Sequence, residues 1–526
     1  MLHWLEDAVF YQLYPISFFD SNGDGKGDLQ GIIQKADYLQ ELGVNAVWLN
    51  PIYKSPFKDG GYDVADYMQI DKRFGTMEDL QNLIDAFHDR GIRIIMDLVI
   101  GHTSNKHPWF KKSATAKRNE YWDYYIWTDN LFQDHPGLIK GLHDRDGGYL
   151  PNYYASQPGL NYGFENPDPE KPWQKHYTDE RLRPLREELL AMMRHYLDMG
   201  VDGFRVDMAG HMIKGGAVFD GDKPFDDSDE GLSGIKWFWN QILPVLRAEY
   251  ADKVFIAEWD VPQKSIGKCG FDVDFLTHDI FYFGELYRNE PGLNLDPYYE
   301  RGYNYFSPNG KGTLENFVTY AEYLYDRVGQ KGMFAAPTST HDEIRMPTRK
   351  NDDLVRCIFA FLLTFKHIPF VYYGDEIGME HNFEVSKDGG GIRTGARTPM
   401  QWTKGRNRGF TTSRAPYLPT SNKKGQSVEE QLADPNSILN CAKDLIALRK
   451  TCPALHTSAK QTFLETGYPA VYTREGSGQK ITVLLNPSNE VYTREVQHSK
   501  VLKAQNAQID GATVTLKPQS FAILEH

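Results

Sequence analysis

The chain has 526 residues, 40% of them hydrophobic and 13% aromatic, too many for one core and too apolar for disorder, so two or three domains are expected. Its 58 basic and 71 acidic residues leave a net charge of −13, which disfavours a nucleic-acid partner. No run of about 18 apolar residues occurs, so no membrane span and no membrane partner are expected. The N-terminus, MLHWLEDAVFYQLYP, carries acids and lacks a basic segment followed by an apolar core, so it does not read as a secretory signal. Cys269, Cys357, Cys441 and Cys452 are scattered without a CxxC pair, as expected of reduced core thiols in a cytoplasmic protein.

In chain order, AVFYQLYPI, NAVWLNPI (45–52) and RIIMDLVI (93–100) are apolar over several consecutive residues, the pattern of parallel strands buried on both faces. Between them, 30–42 and 77–90 carry apolar residues at helical spacing, Ile32, Ile33, Ala36, Leu39 and Leu42, then Leu80, Leu83, Ile84 and Phe87. These helices close at Gly43 and Gly91. The rhythm resumes with helix 184–199, strand 201–208, helix 234–249 and strand 253–259, then strand 332–338, helix 352–366, strand 368–373 and helix 436–450. Repeated βα units predict an α/β fold, a (β/α)₈ TIM barrel over 1–102 and 176–452. Residues 103–175, rich in Trp, Tyr, Asn, Pro and Gly, read as a small domain inserted after the third strand. After Pro453 alternating runs such as KITVLLNP predict an antiparallel β-sandwich domain over 453–526.

Polar residues at the C-terminal ends of barrel strands face an active site. Here the third strand runs into Asp97 and His102, the fourth into Arg205 and Asp207, the fifth into Glu258, and the seventh into His341 and Asp342. A lone acid at such a place caps a loop; several together on one rim read as a site.

These segments resemble, in the same order, the motifs of glycoside hydrolase family 13, the α-amylase family. DAVFYQLYPISFFDSNGDGKGDLQGI, GGYDVADY (60–67), GHTSNKHPWF (101–110), QPGLNY (157–162), PFVYYGDEIGM (369–379) and ARTPMQW (396–402) are similar to its oligo-1,6-glucosidase and α-glucosidase branch. The resemblance implies a retaining α-glucoside hydrolase acting on malto- or isomalto-oligosaccharides, with Asp207 as nucleophile, Glu258 as general acid/base and Asp342 as transition-state stabiliser. It implies that His102 and His341 hydrogen-bond the sugar, that Tyr62 stacks on it, and that Arg205 pairs with the nucleophile. It further implies that Asp63 and Arg397 pair at the blind end of the pocket and grasp a non-reducing-end glucose, hence exo action; the plainer reading is an inter-loop salt bridge.

Asp20-Ser21-Asn22-Gly23-Asp24-Gly25-Lys26-Gly27-Asp28 places oxygen side chains at alternate positions with glycine at the sixth, like the start of an EF-hand loop. Gly31 stands at the twelfth position, where an EF-hand needs a bidentate glutamate. The resemblance instead implies a structural Ca²⁺, or Mg²⁺ in its place, held by Asp20, Asn22, Asp24, the Lys26 carbonyl and Asp28; the alternative is an Asx-rich turn without metal.

The sequence departs from the family pattern at Gly101, Gly159 and Thr340, and in Met208-Ala209-Gly210-His211 after the nucleophile, which leaves linkage open. Two rival functions remain. One is a transglycosylase or isomerase of the same fold, of trehalose synthase or sucrose-converting type, for which the aromatic-rich segment 260–310 is the region to watch. The other is a non-catalytic barrel protein, against which all three carboxylates speak. A monomer or weak homo-oligomer is expected.

Overall fold

The computed structural model describes residues 1–132, 136–216, 225–277, 280–288, 302–421, 423 and 425–526. The expectation for 260–310 therefore falls partly outside the described residues.

Eight parallel strands close a barrel: β1 (Phe10–Leu13), β2 (Ala46–Leu49), β3 (Arg93–Leu98), β4 (Gly203–Val206), β5 (Val254–Ala257), β6 (Val273–Phe275), β7 (Met333–Pro337) and β8 (Ile368–Tyr372). Each strand pairs with the next and β8 returns to β1. Seven of the eight lie where apolar runs predict them. The exception is β6, whose three residues are too short to carry a pattern. The interior is packed, with the Phe10 and Phe370 rings stacked at 4.3 Å and Trp48 and Phe275 at 5.3 Å. Helices follow the strands as expected, except that 30–42 is two helices, Leu29–Gln34 and Ala36–Leu42, broken at Lys35. The Lys35 ammonium leaves the helix line to lie over the Phe19 and Trp402 rings.

After β3 the chain makes a short helix, Pro108–Ser113, and a two-stranded hairpin, Ile139–Lys140 with Gly148–Tyr149. Buried Arg145 ties this region together, donating to the Ser113 and Trp122 carbonyls and to Asp129. Backbone bridges from His102 to Gly159 and from Phe164 to Lys214 bind it to the barrel.

The C-terminal region is antiparallel: β9 (Lys460–Glu465), β10 (Ala470–Gly476), β11 (Gln479–Asn486), β12 (Tyr492–Glu495), β13 (Lys500–Asp510) and β14 (Thr513–Glu525). These strands form one connected sheet in which the long β14 pairs with β11, β12 and β13. Alternation serves both faces. Val471, Leu484, Val514 and Leu524 make a small core of their own, while Tyr472, Val483 and Phe521 join the barrel core. No helix of the described residues is long and apolar enough to cross a membrane.

Candidate active site

The ladder between β3, β4 and β5 continues one residue past the strands. The Asp207 amide donates to the Leu98 carbonyl (3.0 Å) and the Glu258 amide to the Val206 carbonyl (3.1 Å), which sets the two acids side by side on neighbouring strand ends. Arg205, two residues before Asp207, faces the same way. Its Nη1 donates to Asp97 Oδ1 (2.8 Å) and Asp207 Oδ1 (3.0 Å), and its Nη2 to Glu258. One buried guanidinium thus serves three carboxyls. Burial, then Glu258, push the Asp207 carboxyl well above the usual range, against the pull of Arg205. Burial likewise pushes Asp97 up to about 6, opposed by Arg205. The Met208 amide donates to Glu258 Oε2 (2.9 Å) from a left-handed backbone (φ 50°), a strained turn that aims the acid.

Across the barrel, Asp342 Oδ1 accepts Arg393 Nη1 (3.0 Å) and Arg397 Nη2 (2.8 Å). Burial alone would raise the Asp342 carboxyl, but His341 and these two guanidiniums hold it well below the usual range. Since burial also keeps His341 neutral, the arginines supply the charge. His341 Nδ1 accepts from Gln12 Nε2 (2.9 Å), while Nε2 lies 3.1 Å from Asp342 Oδ2 and the ring stacks on Tyr62 at 5.0 Å. The Tyr62 hydroxyl donates to Asp97 Oδ2 (2.8 Å). His102, whose pKa burial lowers to about 4, bridges Asn152 and the Tyr62 carbonyl.

The expected pairing of Asp63 with Arg397 is not what the structure shows. Asp63 is fully buried and serves its own loop, accepting from the Ser55 hydroxyl (2.8 Å) and the Lys58 and Asp59 amides (2.9 and 3.2 Å). The acid of this loop that lines the cleft is Asp59. It accepts Arg393 Nη2 (3.2 Å) and Gln157 Nε2 (2.8 Å), because Gly60 and Gly61, both at positive φ, turn it back towards the cleft.

These groups border a cleft of about 610 Å³ lined by Asp59, Tyr62, His102, Asp207, Glu258 and Asp342, and also by Tyr153, Tyr154, Met208, His211, Trp259, Asp260, Glu343 and Arg393.

The family described as alpha-amylase catalytic domain matches residues 12–458. The chain belongs to the alpha-amylase family. It is a glycoside hydrolase. An oligo-1,6-glucosidase of Parageobacillus thermoglucosidasius is 32% identical, the match covering 93% of this chain and 91% of that one. A trehalose synthase/amylase of Mycobacterium tuberculosis is 31% identical over 92% of this chain and 82% of its own. Among solved structures, an isomaltulose synthase mutant from Erwinia rhapontici NX5 in complex with its natural substrate sucrose is 28% identical, with a TM-score of 0.82 over 99% of both chains.

The sequence motifs did not point to Asp59, Arg393 and Trp259, which line the cleft, and gave no role to Asp97, which holds Arg205. Asp97 and Arg393 had a signal. Asp97 is an acid inside the apolar run of β3, and Arg393 precedes Arg397 by four residues, both within Gly391–Arg397, a 3₁₀ segment.

The residues expected to hold a cation are hydrogen-bonded in and around their own loop. Asp20 accepts the amides of Asn22 (3.1 Å), Gly23 (2.7 Å) and Gly25 (2.7 Å). Asn22 accepts Asp24 N (2.9 Å), and Asp24 accepts Lys26 N (2.8 Å). Asp28 caps the helix Leu29–Gln34 through Gly31 N (2.6 Å) and takes the Ser21 hydroxyl (2.7 Å). Asp20 Oδ1, Asn22 Oδ1 and Asp24 Oδ1 thus serve the loop's own amides. Among the described residues no group of three or more His, Cys, Asp or Glu is placed to hold a metal ion. Asp20, Asn22, Asp24, the Lys26 carbonyl and Asp28 are nonetheless all hard oxygen donors, the kind that Ca²⁺ or Mg²⁺ takes.

Proposed function

We propose that this enzyme releases glucose from the non-reducing end of α-glucosidic oligosaccharides with retention of configuration. The observation that carries this is the pair Asp207 and Glu258, bridged by Arg205 on adjacent strand ends, in a cleft flanked on one side by Asp59, Arg393 and Asp342, which Arg397 also holds. The charged side offers donors and acceptors that suit a sugar's hydroxyls, with Tyr62, stacked on His341, as its flat wall. Glu258 protonates the glycosidic oxygen while Asp207 attacks the anomeric carbon, and the leaving sugar departs as the covalent bond forms. Water, deprotonated by Glu258, then opens that bond and frees Asp207. Asp342, held ionised by two arginines, stabilises positive charge developing on the ring. Proton NMR of the first product tests this: the α-anomer is expected, and the β-anomer would sink the mechanism.

A transglycosylase or isomerase shares the covalent intermediate and differs in its acceptor. The similarity to a trehalose synthase/amylase and to an isomaltulose synthase supports this second reading. Product chromatography on maltose, isomaltose, sucrose and trehalose separates the two, since transfer exceeding release at low substrate means a transferase.

The alternating oxygens of the 20–28 loop support Ca²⁺ binding, or Mg²⁺, in competition with the loop amides. Calcium should then raise Tm over a chelated sample; equal melting curves mean no site. The four buried, unpaired cysteines support a cytoplasmic setting, which cell fractionation checks. A monomer or weak homo-oligomer is the proposed state, which sedimentation tests.

A further inference from the structure

Trp259 directly follows Glu258, and its backbone is held from below. Asp274 of β6, fully buried, accepts the successive amides of Trp259 (3.0 Å), Asp260 (3.2 Å) and Val261 (3.1 Å), and the Ser265 hydroxyl (2.6 Å). The side chain is pinned differently. It is 2% exposed, and its indole N–H is buried and meets no acceptor among the described residues. Shape, not a hydrogen bond, positions the ring.

That shape is supplied by Gly210, three residues past the nucleophile. A Cβ on Gly210 would overlap Nε1, Cδ1 and Cε2 of the Trp259 indole. The Gly210 backbone is not left-handed, so glycine is needed there for the ring rather than for φ. The indole therefore lies in the notch that the missing side chain leaves.

The cleft gives this contact a functional direction. Trp259, Met208 and His211 line it over β4 and β5. Asp59, Asp342 and Arg393 line it from the loops after β2, β7 and β8, across the barrel. The charged side suits the glucose whose bond breaks, so the side of β4 and β5 receives what leaves. This placement rests on the reaction proposed above.

We infer that Trp259, seated on Gly210 beside the acid/base, is the wall that limits the size of the leaving group, a second hexose or an aryl aglycone, and is thus a specificity-determining residue. Removing the indole widens that side. Adding a methyl at Gly210 drives the indole into the cleft, because the Trp259 backbone is fixed by Asp274 and no hydrogen bond holds the ring back. The two changes must act in opposite directions.

The test is the ratio of kcat/KM for p-nitrophenyl α-glucoside to that for methyl α-glucoside. Trp259→Ala is expected to raise it about tenfold over wild type and Gly210→Ala to lower it about tenfold, the scale of fitting or excluding a few carbon atoms. Trp259→Phe, which keeps most of the packed volume, must raise it by a smaller factor and covers the case of an unfolded alanine variant. If both substitutions move the ratio the same way, or leave it within about twofold of wild type, the wall is wrong while the reaction stands. A wild type that cleaves neither glucoside overturns the reaction, and the wall with it.

Discussion

Two aspartates bracket one strand, and they live in opposite conditions. Asp202 precedes β4 at the N-terminal end of the barrel; Asp207 follows it at the C-terminal end. Asp202 accepts His88 Nε2 (2.8 Å), the Ile94 amide (2.9 Å), Arg93 (3.2 Å) and Lys253 (3.4 Å). Burial alone would raise its carboxyl, but these partners outweigh burial and hold it below the usual range. Asp207 shares one arginine with Asp97 and Glu258, and its carboxyl is pushed up instead. Five residues apart, one acid is over-supplied with partners and the other under-supplied. The first is built to hold the barrel, the second to react, as the division of labour between barrel ends requires.

The largest effects should separate the two. Asp207→Asn is expected to lower kcat/KM on any α-glucoside by roughly ten-thousandfold. Its stability should be equal or higher, because an under-compensated buried acid is gone. Asp202→Ala is expected to do the reverse, costing about 2 kcal/mol by leaving the buried Ile94 amide without its acceptor and Lys253, Arg93 and His88 without their carboxylate. Its activity at 25 °C should stay near wild type. Denaturant unfolding with parallel kinetics checks both, and a shared loss of activity and stability in either variant breaks the comparison.

The raised Asp207 carboxyl makes a smaller, signed prediction. The nucleophile must be ionised, so the acid limb of kcat/KM lies above the ordinary carboxylate range. Glu258 is the second cause of that rise after burial. Glu258→Gln should therefore move the limb to lower pH, read with p-nitrophenyl α-glucoside, whose leaving group needs no proton. A limb that stays or moves up would show that Glu258 does not press on Asp207.

How much of this was open to the sequence differs along the chain. Barrel strands were legible because both faces are buried, and a run such as RIIMDLVI has no other reading. β6 was not, since Val273–Phe275 is shorter than any period, yet it carries the Asp274 that fixes the acid/base loop. The acids at strand ends were legible from their place. Asp59 was not, because which of two aspartates flanking Gly60-Gly61-Tyr62 faces the cleft depends on the direction of a turn. Both residues look alike in sequence; Asp63 turns inward to three donors, and Asp59 meets Arg393. The loop at 20–28 gave the right spacing of oxygens but not their partners, which are amides a few residues away.

The smallest effect belongs to the partner of the stabilising aspartate. The hydrogen bond to Asp202 raises His88 above its ordinary value of 6.5, against the pull of burial. A histidine with a raised folded value contributes stability that is fully present below 6.5 and fades as pH rises through that folded value. Asp202, with its value lowered, contributes stability above 3.8 that is lost as pH falls through its depressed value. The pair therefore acts fully between those two limits. His88 is 40% exposed, so screening keeps its share below about 1 kcal/mol. His88→Ala should cost that small amount near pH 5 and almost nothing near pH 9, where the imidazole is neutral in the folded and the unfolded chain alike. A cost that is the same at both pH values would mean that His88 serves by packing and that Asp202 is held by Arg93, Lys253 and the Ile94 amide alone.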